Sequence, residues 1–278
     1  MKVKRVFGFT LTVIIAAATF LFISALAAGN IVVTPTDTQG WSTADTRPGG
    51  ATTYVVDNTA PSGIGALKLT TDGTTTAKAQ YLHSANTPLA SVTELSYWTK
   101  QNSASFSGGD PSYQLPVCLG GVEAPTTSDP TGCIGFTTFV YEPYEQNSPA
   151  PAVINGSWQQ WDVDAGQFWS SRTASGGGTC NVTAGFGGAP FYTLAGLQAA
   201  CPNAVVVGFG VNIGSNNPSY DVETDLVDFN GTTYDFEPYV VAKSKDQCKD
   251  GGFNVVKRAD GSSFKNQGDC VQYVNTGK

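Results

Sequence analysis

The chain has 278 residues, only 13% of them charged, with 32 Gly, one Met and a formal net charge of −7. Twenty-two Asp/Glu against fifteen Lys/Arg exclude a protein built to neutralise nucleic-acid phosphates, which needs an excess of Lys and Arg. A single histidine, His83, with no Cys-x-x-Cys and no Gly-x-Ser-x-Gly, excludes the usual zinc sets and leaves a Ser–His–Asp triad without a nucleophile elbow.

Lys2, Lys4 and Arg5 precede an apolar run from Val6 to Ile23, and Ser24-Ala25-Leu26-Ala27 supplies the small residues of a cleavage site. This is the layout of a secretory signal peptide over residues 1–27, with a retained membrane anchor as the alternative. In either case the remainder is expected outside the cytoplasm, secreted and free of the membrane once the signal is cleaved. Six cysteines in an oxidising compartment are then expected to pair in sequence order, as Cys118–Cys133, Cys180–Cys201 and Cys248–Cys270.

Period-two patterning predicts strands at 53–56 and 66–70, separated by a turn at 58–63, with Asp72-Gly73 as a hairpin signal. Further strands are expected at 77–82, 93–99, 113–119, 134–141 and 157–163. Residues 170–179 read as a flexible loop, 192–200 as a helical turn, and 204–213 as a continuous apolar strand. Asp221–Phe229 leads through Asn230-Gly231 into 232–236, a strong hairpin pattern. About ten strands with almost no helix imply an all-β fold, a two-sheet jelly-roll sandwich with long loops.

The charge divides unevenly. Residues 28–239 hold five Lys/Arg and eighteen Asp/Glu, whereas residues 240–278 hold seven Lys/Arg and four Asp. The expected organisation is therefore a sandwich over 28–237, a linker over 238–247 and a basic, disulfide-closed tail over 248–278.

Trp-Gln-Gln-Trp-Asp-Val at 158–163, the helical turn at 192–200, the apolar strand at 205–214 and the hairpin at 224–236 together resemble the second half of concanavalin- or carbohydrate-binding-module-type jelly rolls. Cys248-Lys-Asp-Gly-Gly-Phe253, followed by Phe264-Lys-Asn-Gln-Gly-Asp-Cys270-Val, resembles a C-terminal element of assorted secreted bacterial proteins. Here Phe253 replaces the usual Trp, and residues 254–263 form a longer insert. The first resemblance implies the sandwich; the second implies a secreted bacterial context and no chemistry.

Three acidic residues and five aromatics are the candidate functional positions. Alternation places 223, 225 and 227 on one strand face and 224, 226 and 228 on the other. Glu223, Asp225 and Asp228 resemble the Glu-x-Asp-x-x-Glu of laminarinase-like jelly-roll glycosidases, with Asp228 where that pattern has a Glu. They are candidates for catalysis, and Asp225 with Asp228 for a structural Ca2+, the one cofactor considered. Tyr141, Tyr144, Trp158, Trp161 and Trp169 are the candidate sugar-stacking residues. Trp158 and Trp161, three apart, should face opposite sides of a strand, one in the core and one exposed. The expected function is non-enzymatic binding of a polysaccharide, a cell-wall glycan or another cell-surface ligand. A β-glycan hydrolase or lyase and a structural or adhesion protein are the alternatives.

Overall fold

The computed structural model describes residues 30–125, 131–146 and 151–278; the expected signal segment lies outside them. In the first half the strands are β1 (Ile31–Val33), β2 (Trp41–Ser42), β3 (Gly50–Val56), β4 (Gly65–Thr71), β5 (Ala79–Pro88), β6 (Leu95–Ser103), β7 (Ser112–Cys118) and β8 (Phe136–Tyr141). The second half adds β9 (Gln159–Asp162), β10 (Gln167–Ser170), β11 (Ala174–Gly177), β12 (Cys180–Val182) and β13 (Phe191–Thr193). After α1 (Leu194–Ala200) come β14 (Val205–Ile213), β15 (Asp221–Phe229) and β16 (Thr232–Phe236), and α2 (Gln267–Thr276) closes the chain.

Two seven-stranded sheets form the jelly-roll sandwich that the composition implies. In the first, β15 is central: β6 pairs along its length, β4 with its first half and β16 with its second. The second sheet runs β13–β10–β8–β7–β14–β5–β2, antiparallel at every pairing. Alternation along β7 sends Tyr113, Leu115 and Val117 into the interior and turns Ser112, Gln114 and Pro116 to the other face. Tyr97, Tyr113, Phe139, Phe168, Phe209 and Phe236 are fully buried between the sheets. Trp41 stacks on Tyr81 at 5.5 Å and meets Phe209, Tyr234 and Phe236 edge-on. Buried hydroxyls find carbonyls: Tyr97 donates to Pro111 O (2.7 Å) and Tyr113 to Asp228 O (2.8 Å), which avoids the cost of an unpaired polar group.

All three disulfides join the cysteines in sequence order, with Cα–Cα separations of 5.2, 4.7 and 5.7 Å. Other local readings are corrected. Asp72-Gly73 does not close a hairpin, because β4 lies in the first sheet and β5 in the second. The chain crosses between sheets there, with Asp72 Oδ1 accepting from Thr74 N. The stretch read as a flexible loop, 170–179, contains β11, which pairs with β12. Gly176 serves close approach rather than flexibility, since a Cβ there would sit 2.5 Å from the Leu119 carbonyl. In β15 a bulge between Asp225 and Asp228 carries Leu226 at φ 47°. The extra residue shifts the alternation by one, so Val227 turns into the core instead of sharing the face of Glu223.

The tail has its own small core of Ala242, Cys248, Val256, Phe264 and Cys270. The segment expected as a linker contributes to it: Ala242 N donates to Lys257 O, and Lys257 N to Val240 O. Arg258 lies over the Phe264 ring at 4.6 Å and pairs with Asp269 at 2.6 Å. Asn266 caps α2 by accepting from Asp269 N. Lys243 forms an ion pair with Asp37 of the sandwich.

So few buried side chains need a covalent closure. Replacing Cys248 and Cys270 by Ser is expected to remove about 3 kcal/mol from the tail. Limited proteolysis should then cleave within residues 240–278 while the melting transition of the sandwich stays in place.

Candidate binding groove

The outward face of the second sheet is a shallow groove whose floor follows from strand register. Trp169, Val140, Gln114, Gly210 and Leu82 are consecutive cross-strand partners on β10, β8, β7, β14 and β5. Four strand spacings give this row a span of about 19 Å. Beside it run Ser112, Asn212 and Gln80, again in register. Asn212 Nδ2 donates to Gln80 Oε1 (3.0 Å), and Gln80 Nε2 donates to Ala44 O (2.9 Å). Gln114 Nε2 donates to Ser112 Oγ (3.0 Å). The floor is thus flat, low and lined with oriented amides.

Two confluent cavities, of about 370 and about 650 Å3, share Gln114, Val140, Trp169, Phe186 and Asn212. The wall on the β8–β10 side carries the aromatic surface. Trp169 is held by its indole N–H, which donates to Glu142 Oε2 at 3.0 Å, and the Tyr144 hydroxyl donates to the same oxygen at 3.0 Å. Phe106 packs edge-on against Tyr144 at 5.1 Å. Phe186 projects from the 185–188 turn and is 82% exposed. Gly185 lets that turn sit on the wall, because a Cβ there would lie 2.8 Å from Trp169 Cβ and 2.2 Å from Gly188 O. Phe136 and Arg172 extend this wall; Asp45, Arg47 and Lys78 form the opposite one.

Burial raises the Glu142 carboxyl above the ordinary carboxylate range. Glu145 is pushed up to about 8, by burial first and by Glu142 beside it second, and its Oε2 is buried without a hydrogen-bond partner. Two neighbouring carboxyls that hydrogen-bond to each other and both titrate high retain a proton near neutrality. A proton kept here limits the charge under Trp169.

Of the five aromatics singled out in the sequence, Tyr144 and Trp169 line the groove. Tyr141 does not: it is 2% exposed and packs among Tyr97 and Phe168. It alternates inward with Phe139, and Val140 takes the outward place. Trp161 is also in the core, donating to Thr99 Oγ1 at 2.6 Å. Trp158 does face the other way, but on the first sheet, where its N–H donates to Asp57 Oδ2 (3.1 Å) and Lys100 lies 5.9 Å over the ring. Phe186 and Phe136 were missed. Phe186 had one sequence signal, a lone aromatic among the glycines of Ala184-Gly-Phe-Gly-Gly-Ala189.

The acidic candidates take up separate structural posts. Glu223 accepts from Asn102 Nδ2 (2.8 Å) and sits 3.7 Å from Lys100 Nζ. Asp225 is fully buried, its Oδ1 accepting from Phe236 N (2.8 Å). Burial and then the neighbouring Asp235 raise its carboxyl far above the usual range. Asp228 caps the β15–β16 turn, taking Gly231 N (2.9 Å) and the Thr233 hydroxyl (2.7 Å) on its two oxygens. An enclosed Asp225 cannot reach a glycosidic bond. Asp228 thus serves the β15–β16 turn while Asp225 serves Phe236 N, at different posts of the hairpin. Among the described residues no group of three or more His, Cys, Asp or Glu is arranged to hold a metal ion.

No protein-family model and no curated protein sequence matches the chain. Among solved structures, similarity is found to the family 11 carbohydrate-binding module from Clostridium thermocellum in complex with a β-1,3-1,4-mixed-linked tetrasaccharide. The identity is 11%, the TM-score 0.36, and the match covers 69% of this chain and 89% of that one. A family 11 module of a cellulosomal cellulase from the same organism aligns at 9% identity and TM-score 0.36, over 71% and 89%. The groove is accordingly read from its own residues.

Buried carboxyls with raised titration give the fold a preference for mild acid. Burial pushes Asp110 to about 7 and Glu237 to about 7, alongside Glu145 at about 8. Between roughly pH 5 and 8 the unfolded chain has released these protons and the folded chain has not, so stability falls as pH rises. Below roughly pH 4 the opposite group, including Asp57, held low by hydrogen bonds from Lys100, Thr59 and Trp158 that outweigh its burial, is lost on protonation. Thermal unfolding followed by circular dichroism should peak near pH 5 and decline toward pH 8.

Proposed function

We propose that the outer face of the second sheet binds a polysaccharide, and that the protein is a non-enzymatic carbohydrate-binding sandwich acting outside the cell. The observation that carries this reading is Trp169 fixed by Glu142 beside the exposed Phe186, over a flat floor whose amides come from Gln80, Gln114 and Asn212. Aromatic faces cover the apolar faces of sugar rings, and oriented amides meet their hydroxyls. The open, elongated groove suits a chain rather than a single sugar. Three disulfides with no free cysteine among the described residues support an oxidising, extracellular setting.

The Glu142–Glu145 pair favours one second reading, a β-glycan hydrolase or lyase, because a protonated carboxyl in a sugar groove is what a general acid requires. Release of reducing or unsaturated ends from a polymer panel, lost in Glu142→Gln, would establish it. Failure to release any product leaves the binding reading.

Trp169→Ala should weaken retention by a bound polysaccharide in affinity electrophoresis by roughly tenfold or more, the effect of removing a central aromatic anchor. Trp158→Ala, on the opposite sheet, should leave retention unchanged. Equal losses in both variants, or none in either, would remove the groove from consideration.

A further inference from the structure

The cations of the sandwich are few and unevenly placed. Residues 28–239 contain five Lys/Arg against eighteen Asp/Glu, yet three of the five, Arg47, Lys78 and Arg172, line the wider part of the groove. The other two sit on the first sheet in ion pairs, Lys68 with Asp221 (2.8 Å) and Lys100 with Asp57 and Glu223. In a body with a net charge of −13, these three cations stand on both walls of one groove.

Their local partners leave positive charge over. Asp45 pairs with Lys78 and lies 3.9 Å from Arg47, so one carboxylate serves two cations. Arg47 is anchored through its backbone N–H to Lys78 O at 2.9 Å, which fixes both on the β5 wall. Arg172, on the opposite wall, makes no ion pair and no side-chain hydrogen bond among the described residues. Its guanidinium instead stacks over the exposed Phe136 ring at 5.3 Å. Stacking holds the planar group and leaves its fork of N–H donors open to solvent and groove. At the other end of the same wall, Glu142 and Glu145 retain a proton, so that end does not present a doubly charged carboxylate pair.

We infer that the groove selects an anionic polysaccharide, with Arg172 receiving a sugar carboxylate or sulfate while Arg47 and Lys78 screen the chain from the opposite wall. This rests on the proposed carbohydrate-binding reading and narrows it from polysaccharides in general to charged ones. The shared chemistry is an oxyanion that accepts a forked pair of N–H bonds. Uronic-acid and sulfated chains both supply it.

The test uses the full-length protein in affinity electrophoresis and calorimetry against polygalacturonate, alginate, dextran sulfate, a mixed-linkage glucan and a mannan. Anionic chains should bind at least roughly tenfold more tightly than neutral ones, and the margin should shrink as salt rises. Arg172→Gln, at an exposed position, should lose roughly tenfold on the anionic chains and markedly less on neutral ones, with an unchanged melting transition checking that the fold is intact. Binding of carboxylated but not sulfated chains, or the reverse, identifies the oxyanion and upholds the inference in either case. Equal affinity for neutral and anionic chains, abolished by Trp169→Ala, overturns the anion selectivity and leaves the groove reading standing. Anionic binding unaffected by Arg172→Gln overturns the assignment and points to the basic tail. If no polymer is bound, both readings fall.

Discussion

Strict alternation across two facing sheets is the constraint on which this molecule depends. Tyr113, Leu115 and Val117 must point inward to join Tyr97, Phe139 and Phe168 in the core, because removing that apolar surface from water is what drives the two sheets together. That leaves Ser112, Gln114 and Pro116 no choice but to face outward, and the same holds for Val140 between Phe139 and Tyr141. The groove is therefore the reverse side of the core. Its row of Trp169, Val140, Gln114, Gly210 and Leu82 comes from the register that the packed face enforces.

Electrostatics divides the surface into two regimes. On the first sheet, carboxylates and the few cations neutralise one another, as in the Asp57–Lys100–Glu223 group with Trp158 donating into it. In the groove, cations stand on the walls with one carboxylate between them, and the carboxyls beneath Trp169 hold a proton. An acidic protein thereby presents a face that is not acidic. The same burial that raises Glu145, Asp110 and Glu237 links the fold's stability to pH, so charge placement and folding are coupled through the same buried carboxyls.

Much of the framework was readable from local pattern. The β15–β16 hairpin followed from Asn230-Gly231, the helical turn from residues 192–200 ahead of Cys201, and the opposite facing of Trp158 and Trp161 from their spacing of three. The failures share a cause. Asp72-Gly73 looked like a hairpin because turn chemistry is local, whereas which sheet receives the next strand is not. The bulge at Leu226 left no mark in residue type, and it moved Val227 from one face to the other. Tyr141 looked like a surface residue because a polar loop follows it, but register with Phe139 placed it inside. Phe186 became part of the groove only through the contact of Gly185 with Trp169.

By itself the sequence determined the all-β class, the three disulfides in order, the acidic body with its basic tail and the set of aromatics from which a binding face would be drawn. These depend on composition, spacing and turn chemistry, which act over a few residues. Only the tertiary structure decided which aromatics are core and which form a wall, that Asp225 is sealed away and that three scattered cations flank one groove. Those outcomes depend on strand order and cross-strand register, set by packing between residues as far apart in the chain as Trp41 and Phe236, a relation that no short window of sequence contains.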